Sequence, residues 1–113
     1  MKYEIITTEY FEHEFRNLFK KYRSLPDDFE KFKQELLENP KIGDDLGDNT
    51  RKIRIAIRSK NKGKRGGARI IAYTLLVSIE DTEIYLLSIY DKSEKASISK
   101  QEIEHLKMEN GVK

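Results

Sequence analysis

Arg51-Lys52-Ile53-Arg54-Ile55-Ala56-Ile57-Arg58 is the stretch whose reading decides the fold. Its period is two, with Ile53, Ile55 and Ile57 on one side and Lys52, Arg54 and Arg58 on the other. That pattern predicts a strand with a buried isoleucine face and an outward cationic face. A rise of ~3.3 Å per residue sets alternate cations nearly 7 Å apart, close to the spacing of successive phosphates on a nucleic-acid strand. Charge on the wet face of a sheet is common, but such faces usually interleave both signs. This one carries no counter-charge, so contact with a polyanion is the better reading.

Working outward, Lys2–Thr7 reads as a first strand, and Thr8 stands as the N-cap of a helix with Glu9 and Glu12 in its first turn. Phe11, Phe15, Leu18, Phe19 and Tyr22 then give one apolar helical face. Pro26, Asp27 and Asp28 open a second helix carrying Phe29, Phe32, Leu36 and Leu37, which Asn39-Pro40 ends. Lys41–Thr50, with two glycines and three aspartates, reads as a loop. Ser59–Gly67 is a polar, glycine-bearing connection, Ala68–Ser78 a central strand, Glu80–Thr82 a turn and Glu83–Tyr90 another strand. After a polar excursion, Ser99 and Glu102 form a capping-box pattern opening a short helix with Ile103 and Leu106 inside. The order β-α-α-β-β-β-α predicts an α+β fold: a helical hairpin and a terminal helix on a small, mainly antiparallel sheet, forming one domain over residues 1–113.

The chain has 113 residues, no cysteine, 37% hydrophobic and 37% charged residues and a net charge of +2. Without cysteine there is neither a disulfide frame nor a thiolate metal site. The start of the chain lacks the apolar run of a signal peptide, and no segment reaches membrane-spanning length, so a cytoplasmic protein without membrane contact is expected. The net charge conceals an asymmetry. Arg51, Lys52, Arg54, Arg58, Lys60, Lys62, Lys64, Arg65 and Arg69 are nine cations in a span with no acid, leaving thirteen basic against all twenty acidic residues elsewhere. A polyanion belongs on that span. Lys60–Gly67 extends it into a glycine-rich loop that is not a nucleotide-binding Walker loop, because no GK[ST] follows at the required spacing.

The run RKIRIAI…KGKRGGARIIAY…IYLLSIYDKSEK…IS resembles the RelE/ParE superfamily of type II toxin–antitoxin toxins, particularly its HigB-like branch. The similarity covers roughly residues 46 to 106, and the expected helical hairpin stands where that family has one. The resemblance implies a toxin that enters the ribosomal A site and cuts the bound messenger, with no metal or cofactor. It implies a cognate antitoxin, of helix-turn-helix type, covering the basic cleft with an acidic or apolar segment. Lys52 and Arg54 match the family's basic pair, Arg69 the arginine opening the next strand, and Lys92 a basic position after the third long strand. Arg65, in the loop motif, is a further catalytic candidate. Arg51, Arg58, Lys60, Lys62, Lys64, Lys95 and Tyr90 are expected to bind RNA.

Cleavage by the ribose 2′-hydroxyl needs a base, cations for the phosphorane charge and an acid for the leaving oxygen. The base and acid are not identified by the sequence. The late tyrosine that stacks on a base in RelE has no counterpart, since no tyrosine follows Tyr90. Tyr90 takes an aromatic role only if it turns toward the cleft, and Tyr73 is expected to be a half-buried sheet residue. His13 falls opposite the apolar face of its helix. His105 is expected at a surface or interface, with a catalytic role left open because some members of the superfamily this chain resembles use histidine. Asp44, Asp45 and Asp48 read as turn formers and not as a calcium loop, whose ligand spacing they break. Two other functions share the cationic surface: a ParE-like gyrase-binding toxin without nuclease activity, which a supercoiling assay identifies, and a non-toxic RNA-binding domain.

Overall fold

The structure, a computed structural model, describes residues 2–60, 66–95 and 97–110. Its elements run β1 (Lys2–Thr7), α1 (Glu9–Lys21), α2 (Leu25–Glu38), β2 (Asp44–Gly47), β3 (Thr50–Ile55), a 3-10 turn (Arg58–Lys60), β4 (Ala68–Leu76), β5 (Asp81–Asp91) and α3 (Lys100–Glu109). The strands form one sheet in the order β1-β5-β4-β3-β2, with β1 parallel to β5 and the other pairs antiparallel. This is the α+β architecture that the sequence predicts. Thr8 caps α1 by accepting from the Phe11 N–H at 3.3 Å, and Ser99 and Glu102 make the full reciprocal capping box on α3.

Several boundaries differ from the sequence reading. The segment expected to be a loop before Thr50 contains β2, an edge strand. Asp48 and Asn49 have φ of 50° and 58° between the paired residues Gly47 and Thr50, which is a two-residue hairpin turn of mirror-image type. Gly-Asp-Asn is thus a hairpin signal. The strand expected to run to Arg58 stops at Ile55, and Arg58 lies in the 3-10 turn. Asp81 and Thr82, expected in a turn, already belong to β5. Phe19 and Leu37, expected on the apolar helix faces, are 38% and 42% exposed.

The sheet separates two apolar layers. Phe11, Leu18, Leu25, Phe32 and Leu36 of the helical hairpin pack with Ile53, Ile55, Ile70, Ile84, Leu86 and Ile89. On the other face, Ile71, Tyr73, Leu87 and Tyr90 meet Ile103 and Leu106 of α3. Each fully buried aliphatic side chain contributes about 1.5–3 kcal/mol. Among the described residues no helix is long and apolar enough to cross a membrane.

A bulge sets which face each side chain of β5 occupies. The register of β4 with β5 shifts between Ile71 and Ala72, giving β5 one extra residue. Before it, Ile84 and Leu86 join the hairpin layer while Tyr85 and Leu87 join the α3 layer; after it, Ile89 faces the hairpin and Tyr90 faces α3. Strict alternation from Leu87 would have sent Tyr90 to the opposite side.

Candidate nucleic-acid interface

On the α3 side of the sheet, register pairs Arg54 of β3 with Arg69 of β4, and Arg69 with Tyr90 of β5. Lys52, two residues from Arg54, stands on the same face of β3, since the intervening Ile53 is in the hairpin layer. Arg54 is exposed and Lys52 half-buried, whereas Arg69 is only 5% exposed and donates to its neighbour's carbonyl, Ala68 O, at 3.1 Å. Burial lowers the pKa of Arg69, and the facing Arg54 charge lowers it further; Tyr90 and Asp44 act in the opposite sense. Asp44 reaches this surface because β2 pairs it with Lys52. Three cations on one face, two of them directly opposed across a ladder, attract an anion that relieves their repulsion.

Tyr90 closes the row. Its side chain is buried, and its hydroxyl makes no hydrogen bond among the described residues. Burial raises the Tyr90 pKa, the Arg69 charge opposes that rise and Glu102 adds to it. The Lys95 ammonium lies 5.8 Å from the ring centroid and is held by Glu102 at 2.8 Å. Lys92 is exposed, and its backbone N–H points to Gly67 O at 3.4 Å, just before Arg69's strand. Gly67 has no room for a side chain, because an added Cβ would collide with the Ile55 carbonyl oxygen.

The remainder of the basic block is dispersed. Arg51 stands on the hairpin side of β3, bonded to Gly43 O at 3.2 Å, and lines a separate groove of about 540 Å³ with Tyr3 and Leu76. Arg58, expected on the outward strand face, instead binds α2: its Nε lies 3.1 Å from Asp28, and its backbone N–H donates to the same carboxylate. Lys60, expected to meet RNA, has a side chain only 6% exposed and donates to Asp91 at 2.6 Å. Lys62, Lys64 and Arg65 lie outside the described residues.

The Lys60–Asp91 pair is the hub of a network that the sequence did not indicate. Asp91 also accepts from the Tyr22 hydroxyl at 2.6 Å and from the Ser93 hydroxyl and N–H at 2.6 and 2.9 Å. Burial alone would push the Asp91 carboxyl up; Lys60, Ser93 and Tyr22 outweigh it and hold the group well below the usual carboxylate range. The same hydrogen bond raises Tyr22 to about 12. A charged residue ending an apolar strand was the only sequence signal for this pair.

Glu14, on α1, also escaped the sequence reading. Its carboxylate accepts from the Ser88 hydroxyl at 2.8 Å and the Ile89 N–H at 3.1 Å, filling the β5 edge beyond the last β1 pairing at Leu86. Burial raises its pKa despite those donors. Tyr73 shares the α3-side layer with Ile71 but lies beneath α3, with Lys107 4.4 Å from its ring centroid. His13 is exposed, and exposed His105 lies 2.9 Å from Glu109 on its own helix.

The family model describing the RelE toxin of the RelE/RelB toxin–antitoxin system matches residues 7–111. The match takes in the helical hairpin, β2 to β5 and α3. This chain, with its row of cations across an α+β sheet, therefore belongs to the RelE family, the toxin half of a toxin–antitoxin pair.

Proposed function

We propose that the chain is a HigB-like, ribosome-dependent endoribonuclease that cleaves messenger RNA in the cytoplasm, without a metal or cofactor, until a helix-turn-helix antitoxin covers it. The whole chain acts as one domain. The carrying observation is the row Arg54–Arg69–Tyr90 with Lys52 beside it, on the sheet face away from the helical hairpin.

In the reaction, the ribose 2′-oxygen bonds to the adjacent phosphorus as the bond from phosphorus to the 5′-oxygen breaks. The 2′-hydroxyl proton leaves to a base, and the 5′-oxygen takes a proton from an acid. The products are a 2′,3′-cyclic phosphate and a free 5′-hydroxyl. Lys52 and Arg54 bind the backbone, and Arg69 meets the charge that develops on the scissile phosphate. Because Arg69 is buried, its charge acts with little solvent screening. Lys92, held beside Gly67, flanks the leaving side, with Lys95 next to it; Arg65 is a further catalytic cation by its place in the sequence motif. Lys60 and Arg58, committed to Asp91 and Asp28, keep the surface in shape and contribute little to RNA binding.

The test is to purify the protein with its antitoxin, release it and map breaks in a translated transcript. Wild type should cut within the reading frame, and Arg69→Ala should leave the messenger whole. An intact messenger with wild type, or equal cutting by both proteins, would falsify the reading.

A further inference from the structure

We propose that the Tyr90 hydroxyl is a catalytic hydrogen-bond donor to a non-bridging oxygen of the phosphate that Arg69 holds, an inference that rests on the endoribonuclease reading above.

The first ground is an unpaired group. Tyr90 is 4% exposed and its hydroxyl has no hydrogen-bond partner among the described residues. Folded proteins satisfy nearly all such buried groups, because leaving one unpaired is destabilising. Even the half-buried hydroxyls of Tyr22 and Tyr85 find acceptors, donating to Asp91 at 2.6 Å and Glu83 at 2.7 Å. Phenylalanine would fill the Tyr90 position without the unmet donor. Retaining the oxygen makes sense where a ligand supplies the acceptor.

The second ground is position. Tyr90 is the register partner of Arg69, and the β5 bulge turns it to that face. A cation and a neutral donor side by side fit a phosphate, which offers two non-bridging oxygens. The ring is less suited to stacking on a base, since Lys95 already lies over it. Burial raises the phenol's pKa, so it stays protonated and able to donate at neutral pH. The hydroxyl transfers no proton; it stabilises charge gathering on the phosphoryl oxygen while the bond to the 2′-oxygen forms and that to the 5′-oxygen breaks. Lys95 lies over the Tyr90 ring and its bridge to Glu102 is partly exposed, so an arriving phosphate can replace Glu102 as the partner of Lys95 and approach the phenol.

The experiment compares Tyr90→Phe with wild type in three measurements. The thermal midpoint should be unchanged or higher, because the substitution removes an unpaired buried group. On messenger-programmed ribosomes the cleavage rate at saturating protein should fall about tenfold or more, while the half-saturating concentration moves less than about twofold. Affinity for a 2′-O-methyl RNA decamer, which cannot be cleaved, should likewise fall by less than about twofold, because the donor acts on charge that develops in the transition state. The salt dependence of that affinity should not change, because no charge is removed. A lower thermal midpoint overturns the inference, since the hydroxyl then has a structural partner. Wild type that cleaves while Tyr90→Phe cleaves equally fast overturns the inference alone. Wild type that binds the decamer but leaves the messenger intact overturns the nuclease reading, and the catalytic role of Tyr90 with it.

Discussion

Arg54 and Arg69 are direct partners across the β3–β4 ladder, so two guanidinium-bearing residues face each other without an intervening acid on either strand. Like charges in that relation are destabilising by about 0.2–1 kcal/mol. Arg54→Gln should therefore hold or raise stability in urea unfolding while weakening RNA binding. The log–log salt slope for single-stranded RNA should fall by roughly 0.7, one phosphate contact, in a fluorescence titration. A large loss of stability would mean that Arg54 is structural.

The Lys60–Asp91 pair predicts a different failure. Asp91→Ala leaves a buried ammonium without its partner, at a cost of about 3–5 kcal/mol. Replacing both residues, as Lys60→Met with Asp91→Leu, should recover much of that loss. The pH dependence has a definite sign. The folded Asp91 pKa lies below its ordinary 3.8, so its stabilisation is present above that value and is lost as pH falls below it. Urea unfolding from pH 5 to pH 2 should show a steeper acid loss in wild type than in Asp91→Asn.

Glu14 titrates in the opposite sense. Burial raises its folded pKa, so at neutral pH the ionised carboxylate opposes folding, and that penalty fades as pH falls through the raised pKa. Glu14→Gln keeps an oxygen for the Ser88 hydroxyl and the Ile89 N–H. It should raise the thermal midpoint at pH 7 and match wild type near pH 4. Glu14→Ala, which unpairs the Ile89 N–H, should lose about 1–3 kcal/mol in the same measurement.

Gly67→Ala should be more damaging than the polar, glycine-rich sequence around it suggests. The new methyl would strike the Ile55 carbonyl, forcing β3 and the start of β4 apart. Because Gly67 O also receives the Lys92 N–H, the same shift moves Lys92 away from Arg69. Circular dichroism should show a lowered thermal midpoint, and any protein that remains folded should cleave more slowly than wild type.

Local chemistry made part of this protein legible. Thr8, Ser99 and Glu102 announce helix starts because capping depends on residues three apart in the chain. The isoleucine alternation of β3 placed Lys52 and Arg54 on one face for the same reason. Even the hairpin of β2 and β3 was written locally, in Gly47-Asp48-Asn49, although it reads at first as an irregular loop.

What only the tertiary structure decided depends on partners far away in sequence. The basic block Arg51–Arg69 looked continuous as a string, yet acids on distant elements claim two of its described cations. Asp28 on α2 takes Arg58, and Asp91 at the end of β5 takes Lys60. Arg69 acquired its neighbours through strand register, which no period reveals. Tyr90 is the clearest case. Counting by twos from Leu87 assigns it to the helical-hairpin side, away from Arg69. One extra residue in β5, accommodated against β4 and braced by Glu14, reverses that assignment and completes the row Arg54–Arg69–Tyr90. The sequence determined which residues form strands and caps; the pairing between distant strands determined which side chains meet.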